Sequence, residues 1–296
     1  MQRVGLGTWQ ANDEEEYIEA LRCAVEDCGY RLIDGAAIYG NEKVTGKALK
    51  KIFENGKVKR EDLFITSKCW IANTKPGACE AACRQSLADL QIDYLDLYLI
   101  HWPATIEGDF FSGNFTIDQT SIVSKWLPME DLKRKGLVRE IGVSNFTINH
   151  LEKLRVSPEV TIQPFANQVE YHLYNQQKAM REYCEKRGIY MTGYTCLGAA
   201  AEHPDMPAVL KNEKLNAIAK KLGKPVAAVE LKFLLQLSPI TQVLAKSVRK
   251  QRLIENIQLD FEIPEEDMRE LEKEDRIFRY WDPIKWFKCD LFGEGY

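Results

Sequence analysis

Long apolar runs are missing from this chain of 296 residues. No stretch approaches the roughly 20 residues that span a bilayer, and the opening Met-Gln-Arg-Val-Gly-Leu-Gly has no apolar core of a secretory signal. The sequence therefore predicts a cytoplasmic protein with no membrane partner. An excess of positive charge is missing too: 40 Lys and Arg stand against 44 Asp and Glu, a net charge of −4, which predicts no nucleic-acid partner. Histidine is scarce, at four residues, and the eight cysteines contain no Cys-x-x-Cys pair. Cys79 and Cys83 lie one helical turn apart, but no His or further Cys nearby completes a site, so no metal is expected. The cysteines read as reduced, small apolar residues of a core.

The last absence is a glycine. Gly5-x-Gly7 closes the first apolar run, yet Thr8, Trp9 and Gln10 follow, so the third glycine of Gly-x-Gly-x-x-Gly is not there. An open, doubly wound dinucleotide-binding sheet loses its usual signature.

What the chain does have is alternation. Short apolar runs at Val4 to Trp9, Leu32-Ile33, Leu63 to Cys69, Tyr94 to Trp102, Arg139 to Val143, Ala166 to Glu170, Ile189 to Tyr194 and Gln242 to Ala245 read as strands. Between them lie segments with helical spacing: Glu14 to Cys28, Asn41 to Phe53, Gly77 to Leu90, Ser124 to Lys135, Ile148 to Leu154, Gln176 to Lys186 and Val226 to Leu237, with another helix from near Lys250. Repeated strand-helix alternation implies a parallel sheet. Without the glycine fingerprint, the closed form is favoured, an α/β fold of the (β/α)8 TIM barrel type, for which roughly 250 residues suffice. One domain is expected over residues 1–296. Extra segments stand outside the alternation: a loop from Pro103 to about Ile122, a piece from His203 to Leu222 whose second half looks helical, and a carboxyl-terminal helix (Glu265 to Asp275) with an aromatic tail over the mouth, at about 264–296.

Side chains at the carboxyl ends of barrel strands share one mouth. The second strand ends in Asp34, with Tyr39 in the loop after it; the third ends in Lys68, and the fourth in His101-Trp102. A phenol near pKa 10 is a poor proton relay at neutral pH, and a neighbouring ammonium is expected to lower that value. A carboxylate beside the lysine keeps it charged. With a histidine to hydrogen-bond a substrate oxygen and a phenol to protonate it, the set suits reduction of a carbonyl. Each residue alone has a plainer reading, as a cap, a solvated lysine or a structural histidine. Together they make an acid-base constellation.

At these residues the sequence resembles the aldo-keto reductases, in the aldose and xylose reductase branch, over nearly the whole chain. The matching stretches are Gly5-Leu-Gly-Thr-Trp9, Ile33-Asp34 with Tyr39-Gly-Asn-Glu42, Leu63 to Lys68, Asp93 to Pro103, Gly136-Leu-Val with Ile141-Gly-Val-Ser-Asn-Phe146, Asn167-Gln-Val-Glu170, and Lys246-Ser-Val with Arg252 and Glu255-Asn256. The resemblance implies a barrel that binds a nicotinamide dinucleotide without a Rossmann motif. It implies Tyr39 as proton donor, Lys68 and Asp34 tuning it, and His101 orienting the carbonyl. It further implies Ser144, Asn145 and Gln168 on the carboxamide, Tyr194 stacked on the nicotinamide, and Thr8, Trp9 and Leu197 beside the cofactor. Lys246, Ser247 and Arg252 would hold a 2′-phosphate, and Glu255 and Asn256 the adenine. Four cations among residues 246–252 of an acidic protein, at the start of a helix, support that phosphate assignment on physical grounds. NADPH is the expected cofactor. Trp9, Tyr39, His101 and Trp102, with Phe110-Phe111 and the tail, are expected to line the substrate pocket.

The sequence departs from the family pattern in four places: Thr195-Cys196 for Ser-Pro, Ala245 for Pro, Arg249 for Thr, and Trp281-Asp-Pro for Asn-Asp-Pro, which puts xylose in doubt as substrate. The chain also begins directly at the first strand, without the hairpin that commonly plugs the barrel bottom. The expectation is a monomeric, NADPH-dependent reductase of aldehydes, aldoses included. A regulatory subunit with the same fold would more naturally lack Tyr39 or Lys68. A cofactor-free hydrolase or isomerase would need paired carboxylates or metal ligands, for which Glu170 and His172 are the nearest candidates.

Overall fold

The computed structural model describes residues 2–11, 13–118, 120–287 and 289–292. The Trp286 side chain and residues 293–296 of the expected aromatic tail lie outside the described residues. The strands are β1 (Val4–Gly7), β2 (Leu32–Asp34), β3 (Phe64–Cys69), β4 (Leu95–Ile100), β5 (Thr105–Asp109), β6 (Asn114–Asp118), β7 (Val138–Ser144), β8 (Ala166–Glu170), β9 (Tyr190–Tyr194) and β10 (Thr241–Ala245). Eight of them pair in parallel into a closed barrel in the order β1-β10-β9-β8-β7-β4-β3-β2, with β1 bonded to both β10 and β2. This is the (β/α)8 fold that the alternation predicts.

The helices are α1 (Glu14–Arg22), α2 (Glu42–Glu54), α3 (Ala78–Leu90), α4 (Ile122–Arg134), α5 (Ile148–Val156), α6 (Lys178–Arg187), α7 (Glu213–Leu222), α8 (Val226–Gln236), α9 (Lys250–Ile257), α10 (Glu265–Glu272) and the single turn α11 (Pro283–Phe287). Their starts follow local chemistry. Asp13 caps α1 by accepting the Glu16 N–H at 2.8 Å, with three glutamates in the first turn beside the positive end of the helix dipole. Apolar residues of the strands and the inward helix faces form one continuous core. At the amino-terminal end of the barrel, opposite the mouth, Phe64, Phe165 and Tyr190 pack on Leu97 and Leu99. Among the described residues no helix is long and apolar enough to cross a membrane.

Two expectations fail locally. The helix expected from Glu14 to Cys28 is α-helical only to Arg22, and Cys23–Asp27 form a π-helical turn. That wider turn brings Tyr30 inside, where its hydroxyl donates to the Leu253 carbonyl at 3.0 Å. The segment 103–122, expected as a loop, contains an antiparallel hairpin, β5 on β6, with Ile106 opposite Ile117. Its apolar face offers only Ile106, Phe115 and Ile117, too few to mark a two-residue period. Lys75 fastens the hairpin to the loop after β3, lying 2.5 Å from Glu107 and 3.0 Å from Asp118.

Candidate active site

The mouth of the barrel collects the residues that the sequence singled out. Asp34 ends β2, Lys68 is the penultimate residue of β3, and His101 follows β4 directly. Tyr39 closes a short 3-10 turn whose cap, Gly40, has φ +71°, a left-handed conformation that glycine adopts without a Cβ clash. That turn directs the phenol back over the strand ends. The Lys68 ammonium donates to Asp34 Oδ2 at 2.7 Å, to the Gly35 carbonyl at 2.9 Å and to the Tyr39 hydroxyl at 3.2 Å. The second carboxylate oxygen of Asp34 accepts the side-chain N–H of Gln168 at 2.7 Å. His101 meets the Tyr39 ring edge-on at 6.0 Å between centroids, and Trp9 meets it at 4.9 Å.

Burial governs the titration of these groups. It pushes the Tyr39 phenol above its ordinary value, and the Lys68 charge opposes this without overcoming it. The ammonium does lower Tyr39, as expected, but the net shift is upward because in a desolvated site the loss of water around a phenolate outweighs one neighbouring cation. Burial also works against the Lys68 charge, but Asp34 and then Tyr39 more than offset it, so Lys68 is raised and stays an ammonium. Burial, followed by the Lys68 charge, holds His101 well below the usual imidazole range. The resting site holds a neutral phenol, a charged lysine and a neutral imidazole.

A cavity of about 290 Å³ opens above this cluster. One end is aromatic, with Trp9, Trp70, Trp102, Phe110, Phe111 and Phe287 around Tyr39 and His101. Trp70 escaped the sequence reading. It stands edge-on to His101 at 5.2 Å and to Phe110 at 5.3 Å; an aromatic within two residues of a strand end, as Trp9 and Trp102 also are, was the available signal. From there the cavity runs past Thr8, Ser144, Asn145, Gln168, Tyr194 and Leu197 to Lys246. The buried amides of Asn145 and Gln168 offer donors and acceptors of the kind that pair with another amide. Asn145 donates to the His101 carbonyl at 2.9 Å and accepts from the Tyr194 hydroxyl at 2.7 Å.

Ser247, Arg252, Glu255 and Asn256 do not line this cavity. They continue from Lys246 into α9, whose amino-terminal residues Arg249, Lys250 and Arg252 are exposed cations. The donor set therefore fits a dinucleotide, with amides at one end and cations at a helix amino terminus at the other. Glu170 and His172 form no metal centre with others, since no group of three or more His, Cys, Asp or Glu among the described residues could hold a metal ion. They pair with each other at 2.8 Å.

Comparison with known proteins agrees with this geometry. Residues 3–276 match the model of the Aldo/keto reductase family. Prostaglandin F synthase 1 of Bos taurus is 37% identical over 94% of this chain and 90% of its own length. Aldose reductase B of Dictyostelium discoideum is 38% identical over 98% of this chain and 94% of its own, and Aldo-keto reductase family 1 member A1 of Mus musculus is 38% identical over 96% and 89%. The chain belongs to the aldo/keto reductase family. It is an NADPH-dependent oxidoreductase that reduces carbonyl groups.

Proposed function

We propose that the protein reduces aldehydes with an apolar, chiefly aromatic body to primary alcohols, and aldoses less efficiently, with Tyr39 as the proton donor. The observation that carries this reading is the Asp34–Lys68–Tyr39 relay on the floor of an aromatic cavity. A neutral Tyr39 has a proton to give at neutral pH. His101, neutral and with Nδ1 buried and without a hydrogen-bond partner among the described residues, has Nε2 left to orient the carbonyl oxygen. NADPH, when bound, supplies the hydride to the carbonyl carbon. As the C–H bond forms, the carbonyl π electrons move to oxygen, and the Tyr39 hydroxyl transfers its proton there. The phenolate left on Tyr39 is stabilised by the Lys68 ammonium at 3.2 Å, which Asp34 keeps charged, until solvent returns the proton.

For the cofactor, Ser144, Asn145 and Gln168 would hold the carboxamide, with Tyr194 beside the ring. Thr8, Trp9 and Leu197 border the groove; Lys246, Ser247 and Arg252 would bind the 2′-phosphate, and Glu255 and Asn256 would meet the adenine. Trp281 also lines the cavity, and its indole N–H donates to Thr195 Oγ1 at 2.8 Å. Few polar groups remain to meet sugar hydroxyls.

The test is NADPH oxidation with purified protein and a panel running from an aromatic aldehyde to glyceraldehyde and xylose. Turnover should be highest for the aromatic aldehyde and fall by about 10²- to 10⁴-fold in Tyr39→Phe, the usual contribution of a positioned general acid, with NADPH affinity nearly unchanged. Equal loss of turnover and binding would make Tyr39 structural, and a preference for xylose would overturn the substrate class.

A further inference from the structure

Cys28 caps the π-helical turn that follows α1, and its sulfur lies 3.9 Å from that of Cys23, five positions back. In an α-helix five residues turn the chain by about 500°, which leaves two such side chains about 140° apart around the axis. The wider turn removes that divergence. The Cys28 N–H donates to the Cys23 carbonyl at 2.9 Å, an i to i+5 bond, and the two thiols meet on one side.

The two thiols differ in access. Cys23 is 3% exposed and packs in the core, whereas Cys28 is half-buried between two exposed residues, Asp27 and Gly29. A reagent in solution therefore meets Cys28 first, with Cys23 directly behind it. Cys69 and Cys79 are as close, at 3.8 Å, yet both are fully buried, and no reagent reaches them in the folded protein. Metal binding is not what the pair is built for, since no third His, Cys, Asp or Glu joins it into a ligand group among the described residues. A disulfide needs only the two sulfurs. To bond they must close by about 2 Å, and exposed Gly29, with φ +83°, gives the chain after Cys28 the freedom to follow.

We propose that Cys28 and Cys23 form a thiol–disulfide exchange site whose co-reactant is a small-molecule disulfide. The Cys28 thiolate attacks one sulfur of that disulfide; its S–S bond breaks, a mixed disulfide forms on Cys28 and the first thiol leaves. The Cys23 thiolate then attacks the Cys28 sulfur, and the second thiol leaves as the Cys23–Cys28 bond forms. The protein gives up two electrons and two protons, and the two released thiols carry them away. Cys28 is the entry thiol and Cys23 resolves it. Burial, with Cys23 and Asp27 beside it and Lys250 of α9 opposing them, pushes the Cys28 thiol up to about 11, so the exchange runs faster in alkaline buffer than at neutral pH.

The experiment incubates the full chain, reduced beforehand, with oxidised glutathione in mildly alkaline buffer under nitrogen. Free thiols are then blocked with iodoacetamide, and mass spectrometry reads the tryptic peptide 23–31, which holds both cysteines between the cleavage sites Arg22 and Arg31. That peptide should lose both alkylation sites and weigh two hydrogens less than its reduced form, and dithiothreitol should restore it. Cys23→Ser should stop at one glutathione on Cys28, and Cys28→Ser should leave Cys23 unmodified. Cys23→Ala, which buries no hydroxyl, serves in place of Cys23→Ser if the serine variant does not fold. Glutathione accumulating on Cys28 of the unaltered protein without the internal bond, or full alkylation of both thiols, would overturn the proposal. Equal reaction at Cys69 and Cys79 would overturn it too, because exchange would then report an unfolded chain.

Discussion

Gln168 and Asp34 are hydrogen-bonded at 2.7 Å across the barrel mouth, although 134 positions separate them in the chain. Their strands, β8 and β2, stand opposite one another in the closed ring. The amide thus belongs at once to the proposed carboxamide pocket and to the carboxylate that holds Lys68.

Replacing Gln168 by Leu should therefore impair more than cofactor binding. Asp34 loses one partner, and a buried acceptor left unsatisfied costs about 1–3 kcal/mol. The expected outcome is weaker NADPH binding by calorimetry together with a lower urea midpoint. A variant with weaker binding and wild-type stability would show that the bond to Asp34 contributes nothing.

Arg252→Ala should weaken NADPH by about 10-fold or more and NADH hardly at all, because only NADPH carries the 2′-phosphate that a guanidinium would pair with. Parallel titrations of the two cofactors decide this. Similar losses for both would remove Arg252 from the phosphate site.

Glu230, inside α8, is fully buried; one carboxylate oxygen accepts the Leu173 N–H at 2.8 Å and the other has no hydrogen-bond partner among the described residues. Burial pushes its carboxyl up to about 8. A group raised on folding binds its proton more tightly in the native state, so its contribution is fully present below the unfolded value, near 4.5, and is lost as pH climbs toward 8. Glu230→Gln, neutral at every pH, should gain stability over the parent progressively between pH 5 and 8. The upper limit is on the order of several kcal/mol. Thermal melts at several pH values would show a constant difference if Glu230 does not titrate in this window.

Ile277 is 68% exposed with φ +53°, a costly combination for a β-branched residue. Ile277→Gly should stabilise the protein by about 1 kcal/mol, measured as a higher urea midpoint at unchanged slope. An unchanged or lower midpoint would mean that neighbouring contacts of Ile277 outweigh the backbone relief.

Most of the barrel could be read in the chain because each strand is a short apolar run whose period changes sharply at the next helix. Asp34, Tyr39, Lys68 and His101 were visible because each sits at or just after a strand end. The hairpin was not, since its apolar face carries only Ile106, Phe115 and Ile117, while Glu107, Asp109, Asn114 and Thr116 fill the exposed face; nor was the π-turn, because one extra residue per turn leaves helical spacing almost intact. The direction of the Tyr39 shift depends on how much water surrounds the phenol, which no spacing encodes. Glu170 and His172 stood out as titratable neighbours, but their partners, the backbone of Tyr280 and Trp281, carry no side-chain signature and lie 110 and 111 positions away.

The crowd of indoles at the mouth has an optical consequence. Trp9, Trp70, Trp102 and Trp281 line the cavity, four of the chain's six tryptophans. Reduced nicotinamide absorbs in the band where indole emits, so the protein's own ultraviolet emission is concentrated where a bound dihydronicotinamide would accept it by energy transfer. Occupancy of the groove can thus be followed in the unmodified protein by its colour of emission alone, with no label and no turnover.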